Sequence, residues 1–168
     1  MKKAILSTKA KTLSSLQNIL KNAEVLPQFC FSIKDWTKDN KLVIKKINSQ
    51  FGINLCKIVR SSVTNEDNSI ASLAGHYTSE LNVVTNEELT KAINNVIDSY
   101  GKDVDNSEEV LVQPMLENSK MSGVAFSHDP STGSAYKVIN YTIGSNTTGV
   151  TSGASKTKTF VYFESKKN

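Results

Sequence analysis

A chain of 168 residues with 38% hydrophobic and 21% charged side chains is long enough for one domain, or one substantial subdomain, with an apolar core. Its apolar runs are shorter than the roughly 20 residues of a membrane span, and the basic first residues do not lead into a signal peptide, so we expect no membrane partner. Two distant cysteines without a metal-ligand pattern favour a reducing cytoplasm, and a net charge of +4, spread along the chain, argues against nucleic-acid binding.

The first part of the chain alternates helices with short strands. Leucines at helical spacing, ending with Leu20, predict a first helix. An inward face that includes Leu42 and Val43 predicts a second helix, which Gly52 should end. In chain order, the expected elements are a helix at 8–22, a strand at 29–33, a helix at about 39–50 and a strand at 55–60.

The second part of the chain has one strong helix followed by a group of strands. Thr85 and Glu88 have the spacing of a capping box, and the apolar stripe after them runs to Tyr100. Pro114 removes a backbone donor from the next apolar segment, which favours an edge, an exit or a hinge over a central strand. Because helices come first and strands follow, the predicted fold class is α+β. The expected strands are 109–116, 123–126, 136–141 and 157–163.

Arg60 ends an apolar, strand-like segment and precedes a loop of hydroxyl, amide and glycine residues that extends to Tyr77. A guanidinium offers planar, charge-assisted donors, and small loop residues let backbone N–H groups approach an anion. The segment therefore predicts a phosphate site. An ordinary polar loop after a strand is the alternative interpretation.

Several sequence blocks, taken in order, resemble the N-terminal ATP-binding domain of the phosphoenolpyruvate synthase and pyruvate phosphate dikinase family. The resemblance extends over nearly the whole chain and implies a partial, ATP-grasp-like nucleotide-binding fold, with a mixed or antiparallel sheet and flanking helices. The blocks that carry it are Ser7–Leu13, Leu26–Phe29, Val59–Ser62 with Ala71–Gly75, Val110–Met115 and Ser122–Gly133.

The resemblance implies cationic side chains on the ATP phosphates. The glycine-glycine-lysine start of the family corresponds to Ser7-Thr8-Lys9, so Lys9 would be the phosphate-binding lysine, with Lys11 as its substitute if the register differs by two. The family arginine falls on Arg60. Lys9 and Arg60 are thus the expected catalytic residues, because both would stabilise polyphosphate charge. The loop expected to close over the triphosphate contains Ala74, Gly75 and His76.

The adenine-contacting hinge of the family falls on Gln113, Met115 and Leu116. An extended backbone there offers a C=O and an N–H to the adenine edge, and the two apolar side chains form a slot for the ring. Met115 and Leu116 as plain core residues are the alternative. Glu117 is expected either on the ribose hydroxyls or as a surface carboxylate. His128 lies where the family has a structural turn.

The resemblance also predicts how the chain divides and which parts lie elsewhere. Residues 1–109 would form the first ATP-grasp subdomain, and residues 110–168 the hinge and a truncated second subdomain. The metal-binding acidic residue and a Gln-x-Arg-Pro strand of the family are expected downstream, so the chain itself should supply no Mg²⁺ ligand. The phosphohistidine and acceptor domains are expected as further partners within the same protein.

We therefore expect the ATP-binding part of a phosphotransferase that uses ATP and Mg²⁺ and passes phosphate, through a histidine on another domain, to a small acceptor. Since phosphoryl transfer depends on the metal and on charge neutralisation, the chain alone is expected to be inactive. The acceptor would be pyruvate, or the glutamine amide if the polar run 144–153 marks the capsule-associated glutamine kinase branch. The alternative is a degenerate nucleotide-binding or regulatory module without catalysis, which the lost glycines before Lys9 and the amide residue Asn140 favour.

Overall fold

The computed structural model describes residues 7–64, 77–144 and 157–163, and the chain divides into two units between Met115 and Leu116. The predicted boundary lay before residue 110. The strand that begins at Glu109 pairs with two strands of the first unit, and it belongs to that unit for this reason. None of the helices in the three described ranges is both long and apolar enough to cross a bilayer.

The first unit contains a four-stranded antiparallel sheet with the strand order β1-β4-β2-β3. Strands alternate with helices along part of the chain, so helices can cover one face of the sheet. The elements are α1 (Lys9–Leu16), β1 (Phe29–Ser32), α2 (Ile33–Lys38), α3 (Asn40–Phe51), β2 (Lys57–Ser62), β3 (Ser79–Val83), α4 (Asn86–Asp98) and β4 (Glu109–Pro114).

Side-chain caps define the helix boundaries in this unit. Before α4, the Thr85 hydroxyl accepts the Glu88 N–H at 3.1 Å, and the Glu88 carboxylate accepts the Thr85 N–H at 3.0 Å. Ser32 and Asp35 make the same reciprocal arrangement before α2. Gly52 ends α3 at a φ of 84°, where glycine has no Cβ to strain. The predicted helices near 39–50 and after Thr85 are confirmed.

The core lies between one face of this sheet and the helices α2, α3 and α4. Val59 of β2 and Val112 of β4 are fully buried there against Ile47 of α3 and Ile93 of α4. Because side chains alternate along a strand, Arg60 lies on the opposite face of the sheet, away from this core. That opposite face is the one that carries the predicted phosphate chemistry.

The structure differs from the sequence-based expectation at several elements. Helix α1 stops at Leu16 instead of continuing to residue 22, and Leu20 is exposed, so no core surface rewards a longer helix. Leu42 also faces solvent, although it was predicted to face inward. Strand β4 is central, because Pro114 occupies only its last position and costs no internal ladder bond. Helix α2 and strand β3 were not predicted.

The second unit contains a three-stranded antiparallel sheet in chain order, built from β5 (Met121–Phe126), β6 (Lys137–Ile143) and β7 (Lys158–Tyr162). All three strands were predicted. Gly123 lies opposite Tyr141, and a Cβ at Gly123 would come within 2.6 Å of the Asn140 carbonyl oxygen. Close packing of the two strands therefore requires glycine at this position.

Candidate functional site

The start of α1 is held by one cross-strand pair of the first sheet, Ser62 in β2 and Glu109 in β4. Ser62 Oγ accepts the Ala10 N–H at 3.0 Å, and Glu109 Oε2 accepts the Thr8 hydroxyl at 3.1 Å. Lys9 lies between these two anchored residues. Its backbone is thus fixed on both sides by a rigid part of the sheet.

Thr8 explains how the turn before α1 forms without glycine. Its φ of −56° and ψ of 157° belong to a region that every L-residue reaches without strain. Its buried hydroxyl accepts the Lys11 N–H at 3.4 Å, as an N-cap does. The same hydroxyl donates a hydrogen bond to Glu109 Oε2, so one side chain caps the helix and docks it on the sheet.

Lys9 and Arg60, distant in sequence, come to the same end of β2. Lys9 Nζ donates to the carbonyl oxygen of Ser61, the residue directly after Arg60, at 3.2 Å. Arg60 is half-buried on the face away from the core and pairs across the sheet with Leu111. Ammonium and guanidinium groups are the side-chain donors that suit phosphate oxygens, so Lys9 and Arg60 remain the candidates for a phosphate site.

Lys11, the alternative phosphate ligand, is directed to Glu109 instead. Its Nζ lies 3.5 Å from Glu109 Oε1, and its side chain remains 61% exposed.

Cys30 lies on β1, the strand adjacent to β4. Burial raises the pKa of its thiol to about 12, and the charge of Glu109 is the second cause. The thiol is therefore protonated at neutral pH and is no nucleophile.

The predicted adenine hinge begins where β4 ends. Gln113 is buried within the sheet, whereas Leu116 is 59% exposed and Glu117 is also exposed. The Met115 N–H donates to the Cys56 carbonyl oxygen at 2.9 Å, so it extends the strand pairing by one residue. Of the predicted hinge positions, Leu116 thus offers apolar surface, while the Met115 amide is engaged within the protein.

The remaining predicted residues divide between undescribed and structural positions. Ala74, Gly75 and His76 lie outside the described residues. His128 is exposed next to Asp129, whose carboxylate accepts the Ser131 N–H at 2.7 Å. This side-chain bond is typical of a turn and agrees with the structural interpretation of the His128 segment.

A cavity of about 380 Å³ lies near the end of α4 and has a different character. Tyr77 and Tyr100, whose rings meet edge-to-face at 5.5 Å, contribute to its lining together with Asp105 and Glu108. The Glu108 carboxylate already accepts the Thr64 N–H at 2.9 Å. Acidic side chains repel a polyphosphate, so this cavity is no candidate for the nucleotide phosphates.

A family model described as the pyruvate phosphate dikinase AMP/ATP-binding domain matches residues 10–168. The chain belongs to this family. Among solved structures it is similar to PH1788 from Pyrococcus horikoshii Ot3, with 18% sequence identity and a TM-score of 0.49. The match covers 86% of this chain and 54% of that one, so the chain spans about half the length of this relative. No curated protein matches the chain.

Membership in the pyruvate phosphate dikinase family, with the two antiparallel sheets and their helices, agrees with the predicted α+β, ATP-grasp-like class. Arg60 and the hinge residues lie inside the matched range, while Lys9 immediately precedes it. The role of Lys9 therefore depends on geometry. In the three described ranges, no group of three or more His, Cys, Asp or Glu side chains could hold a metal ion.

Sequence reasoning missed three residues that anchor the start of α1, namely Thr8 as a docking residue, Ser62 and Glu109. Glu109 is an acidic residue directly before three apolar residues of β4, and this contrast was a usable signal. Sequence reasoning also missed Lys57, which is fully buried in β2 and donates to the Leu55 carbonyl oxygen at 2.8 Å. Burial lowers the pKa of the Lys57 amine.

Proposed function

We propose that this chain is the ATP-binding portion of a phosphotransferase that resembles phosphoenolpyruvate synthase. In the complete enzyme, phosphate would pass from ATP through a histidine of another domain to a small acceptor, either pyruvate or the glutamine amide. The observation that supports the proposal most directly is the hydrogen bond from Lys9 Nζ to the carbonyl oxygen of Ser61, the residue after Arg60, in a member of a family of AMP/ATP-binding domains.

In the proposed site, Lys9 and Arg60 neutralise the nucleotide phosphates. Charge on the phosphoryl oxygens is the main barrier that a phosphotransferase must manage, and fixed cations lower it. Arg60 extends from a central part of a rigid sheet, and Lys9 extends from an anchored helix start, so both charges are held before the nucleotide arrives. Such preorganisation limits the entropic cost of binding.

The hinge would bind the nucleoside. Leu116 would cover the adenine ring, Gln113 and Met115 would fix the backbone that faces it, and Glu117 would accept the ribose hydroxyls. Mg²⁺ would supply charge neutralisation at the phosphates when bound; in this proposal its ligands lie outside the described residues. The described residues would bind the nucleotide, and transfer would need groups beyond them.

The test is ATP affinity measured by calorimetry for the wild type, Lys9→Met and Arg60→Met. Each substitution removes a charge-assisted contact, so we expect the Kd for ATP to rise about tenfold or more. Lys41→Met, which removes an exposed lysine from α3, is the matched control and should leave the affinity unchanged. Unaltered ATP affinity in both site variants would refute the assignment of the phosphate site.

A second candidate function is a nucleotide-binding regulatory module without catalysis. Asn140 favours it, because an amide stands where the related synthases carry an acidic residue, and its Oδ1 accepts the Thr159 hydroxyl at 2.8 Å. An ATP-dependent phosphate-release assay on the full-length protein, with pyruvate and glutamine as acceptors, separates the candidates. Acceptor-dependent release supports the enzyme, and ATP binding without release supports the module.

A further inference from the structure

Glu109 contacts the start of α1 through both of its carboxylate oxygens. Oε2 accepts the Thr8 hydroxyl at 3.1 Å, and Oε1 lies 3.5 Å from Lys11 Nζ. A carboxylate is only an acceptor, so the Thr8 hydroxyl must be the donor, and its lone pairs are left to cap the helix. This hydrogen bond is charge-assisted and partly shielded from water, which makes it stronger than a neutral surface contact.

We infer that Glu109 is a positioning residue for the nucleotide phosphates: through Thr8 it fixes the helix start from which Lys9 reaches the end of β2. This inference rests on the proposed function and adds to it a residue that touches no nucleotide. Glu109 and Ser62 form a cross-strand pair, and their side chains anchor the residues on either side of Lys9. If the Glu109 anchor is lost, the bond from Ser62 to Ala10 remains, but the residue before Lys9 loses its tie to the sheet.

A carboxylate near a polyphosphate site would weaken phosphate binding unless its charge is compensated, because like charges repel. Lys11 supplies the compensating charge at 3.5 Å, so the pair is close to neutral as seen from the phosphates. The two lysines of this turn therefore have different roles. Lys9 would bind phosphate near the end of β2, and Lys11 neutralises the charge of Glu109, the carboxylate that anchors the turn. Because glycine is absent from Ser7-Thr8-Lys9, the bond from Thr8 to Glu109 fixes the backbone of this turn in place of a glycine conformation.

The test compares the affinity of the full-length protein for ATP with its affinity for adenosine, which lacks every phosphate. Glu109→Ala should raise the Kd for ATP about tenfold and leave the Kd for adenosine unchanged, since the charge-assisted hydrogen bond from Thr8 is lost. Glu109→Gln keeps an acceptor for Thr8 and should recover most of the affinity. Glu24→Ala, an exposed carboxylate in the segment after α1, is the control for loss of negative charge.

A double-mutant cycle tests the route through Thr8. Thr8→Val removes the hydroxyl with little change of shape. Because it also removes the cap on the Lys11 N–H, it should weaken ATP binding at least as much as Glu109→Ala does. The double variant should bind ATP about as weakly as Thr8→Val alone, because both substitutions remove the bond between Thr8 and Glu109. Circular dichroism and fluorescence of the single Trp36 report whether each variant keeps its fold.

The inference is overturned if Glu109→Ala binds ATP like the wild type, if it loses adenosine affinity to the same degree, or if the two substitutions add in the cycle. A wild-type protein that binds no ATP would refute the proposed function and this inference with it. Normal ATP affinity in the Glu109 and Thr8 variants, together with lost affinity in Lys9→Met, would refute the inference alone. The two failures are therefore distinct.

Discussion

The Met115 N–H donates to the carbonyl oxygen of Cys56 at 2.9 Å, one residue beyond the paired positions Lys57 and Pro114. This bond ties the predicted hinge to the residue before β2. Because Pro114 has no N–H and the Met115 N–H is engaged, neither of these two residues offers a backbone donor to an adenine edge. The chain also passes from the first unit to the second at this position.

The first prediction concerns the apolar surface of Leu116. Replacement by glutamine, which is polar but uncharged, should raise the Kd for ATP and for adenosine by the same factor, about tenfold, because the adenine ring common to both loses an apolar contact. Leu42→Gln is the matched control: Leu42 is an exposed leucine on the outer side of α3, and its substitution should change neither Kd. A loss confined to ATP would place Leu116 with the phosphates and contradict the hinge assignment.

Most elements of the fold could be predicted because their signals are local. The capping box of Thr85 and Glu88 and the stop at Gly52 act within one helical turn. The Ser32–Asp35 box before α2 is equally local and was available in the sequence. Strand β3 could not be predicted from the sequence, because its segment lacks clear apolar alternation and is stabilised by pairing with β2.

The candidate site was predicted only in part for a related reason. Lys9 and Arg60 follow from resemblance to a family, and the structure brings their segments together. Which residue supports Lys9 depends on the register between β2 and β4, since Ser62 pairs with Glu109 only in that alignment. Register between strands far apart in sequence is set by the whole core and cannot be inferred from either strand alone.

The second prediction is that Gly123→Ala destabilises the second unit. The new Cβ would lie 2.6 Å from the Asn140 carbonyl oxygen, so the strands must separate or bend. We expect a loss of about 1–3 kcal/mol in the free energy of unfolding, as for other overpacked sites. Ala125→Ser, at an exposed position of the same strand, should change it by less than about 0.5 kcal/mol. Urea denaturation followed by circular dichroism measures both, and equal effects would contradict the close-contact argument.

The third prediction concerns the thiol of Cys30. Burial, followed by the charge of Glu109, raises its pKa to about 12, so at pH 8 almost no thiolate is present. In a Cys56→Ser background, modification by a chromogenic disulfide should be more than about a hundredfold slower in the native protein than in guanidinium chloride. Glu109→Gln should speed the reaction of the native protein, because it removes the negative charge that helps to raise the pKa of Cys30. A native rate close to the unfolded rate would show that the thiol is accessible and ionised.

The last prediction concerns the acid stability of α4. Hydrogen bonds from the backbone N–H groups of Thr85 and then Val84 hold the pKa of Glu88 below its usual value. A carboxyl whose pKa is lower in the folded state than in the unfolded state stabilises the fold above the unfolded pKa of about 4.3, and loses that contribution as the pH falls through the folded pKa.

Glu88→Gln keeps an acceptor for the cap but cannot titrate, so it isolates this contribution. The wild type should be more stable than Glu88→Gln at pH 7, and the difference in urea midpoint should shrink as the pH falls from 5 to 3. Glu87→Gln removes a charge from the same helical turn outside the capping box, and the wild type should keep a smaller, less pH-dependent advantage over it. A Glu88→Gln difference that stays constant with pH would mean that the carboxylate bonds add nothing beyond those of an amide.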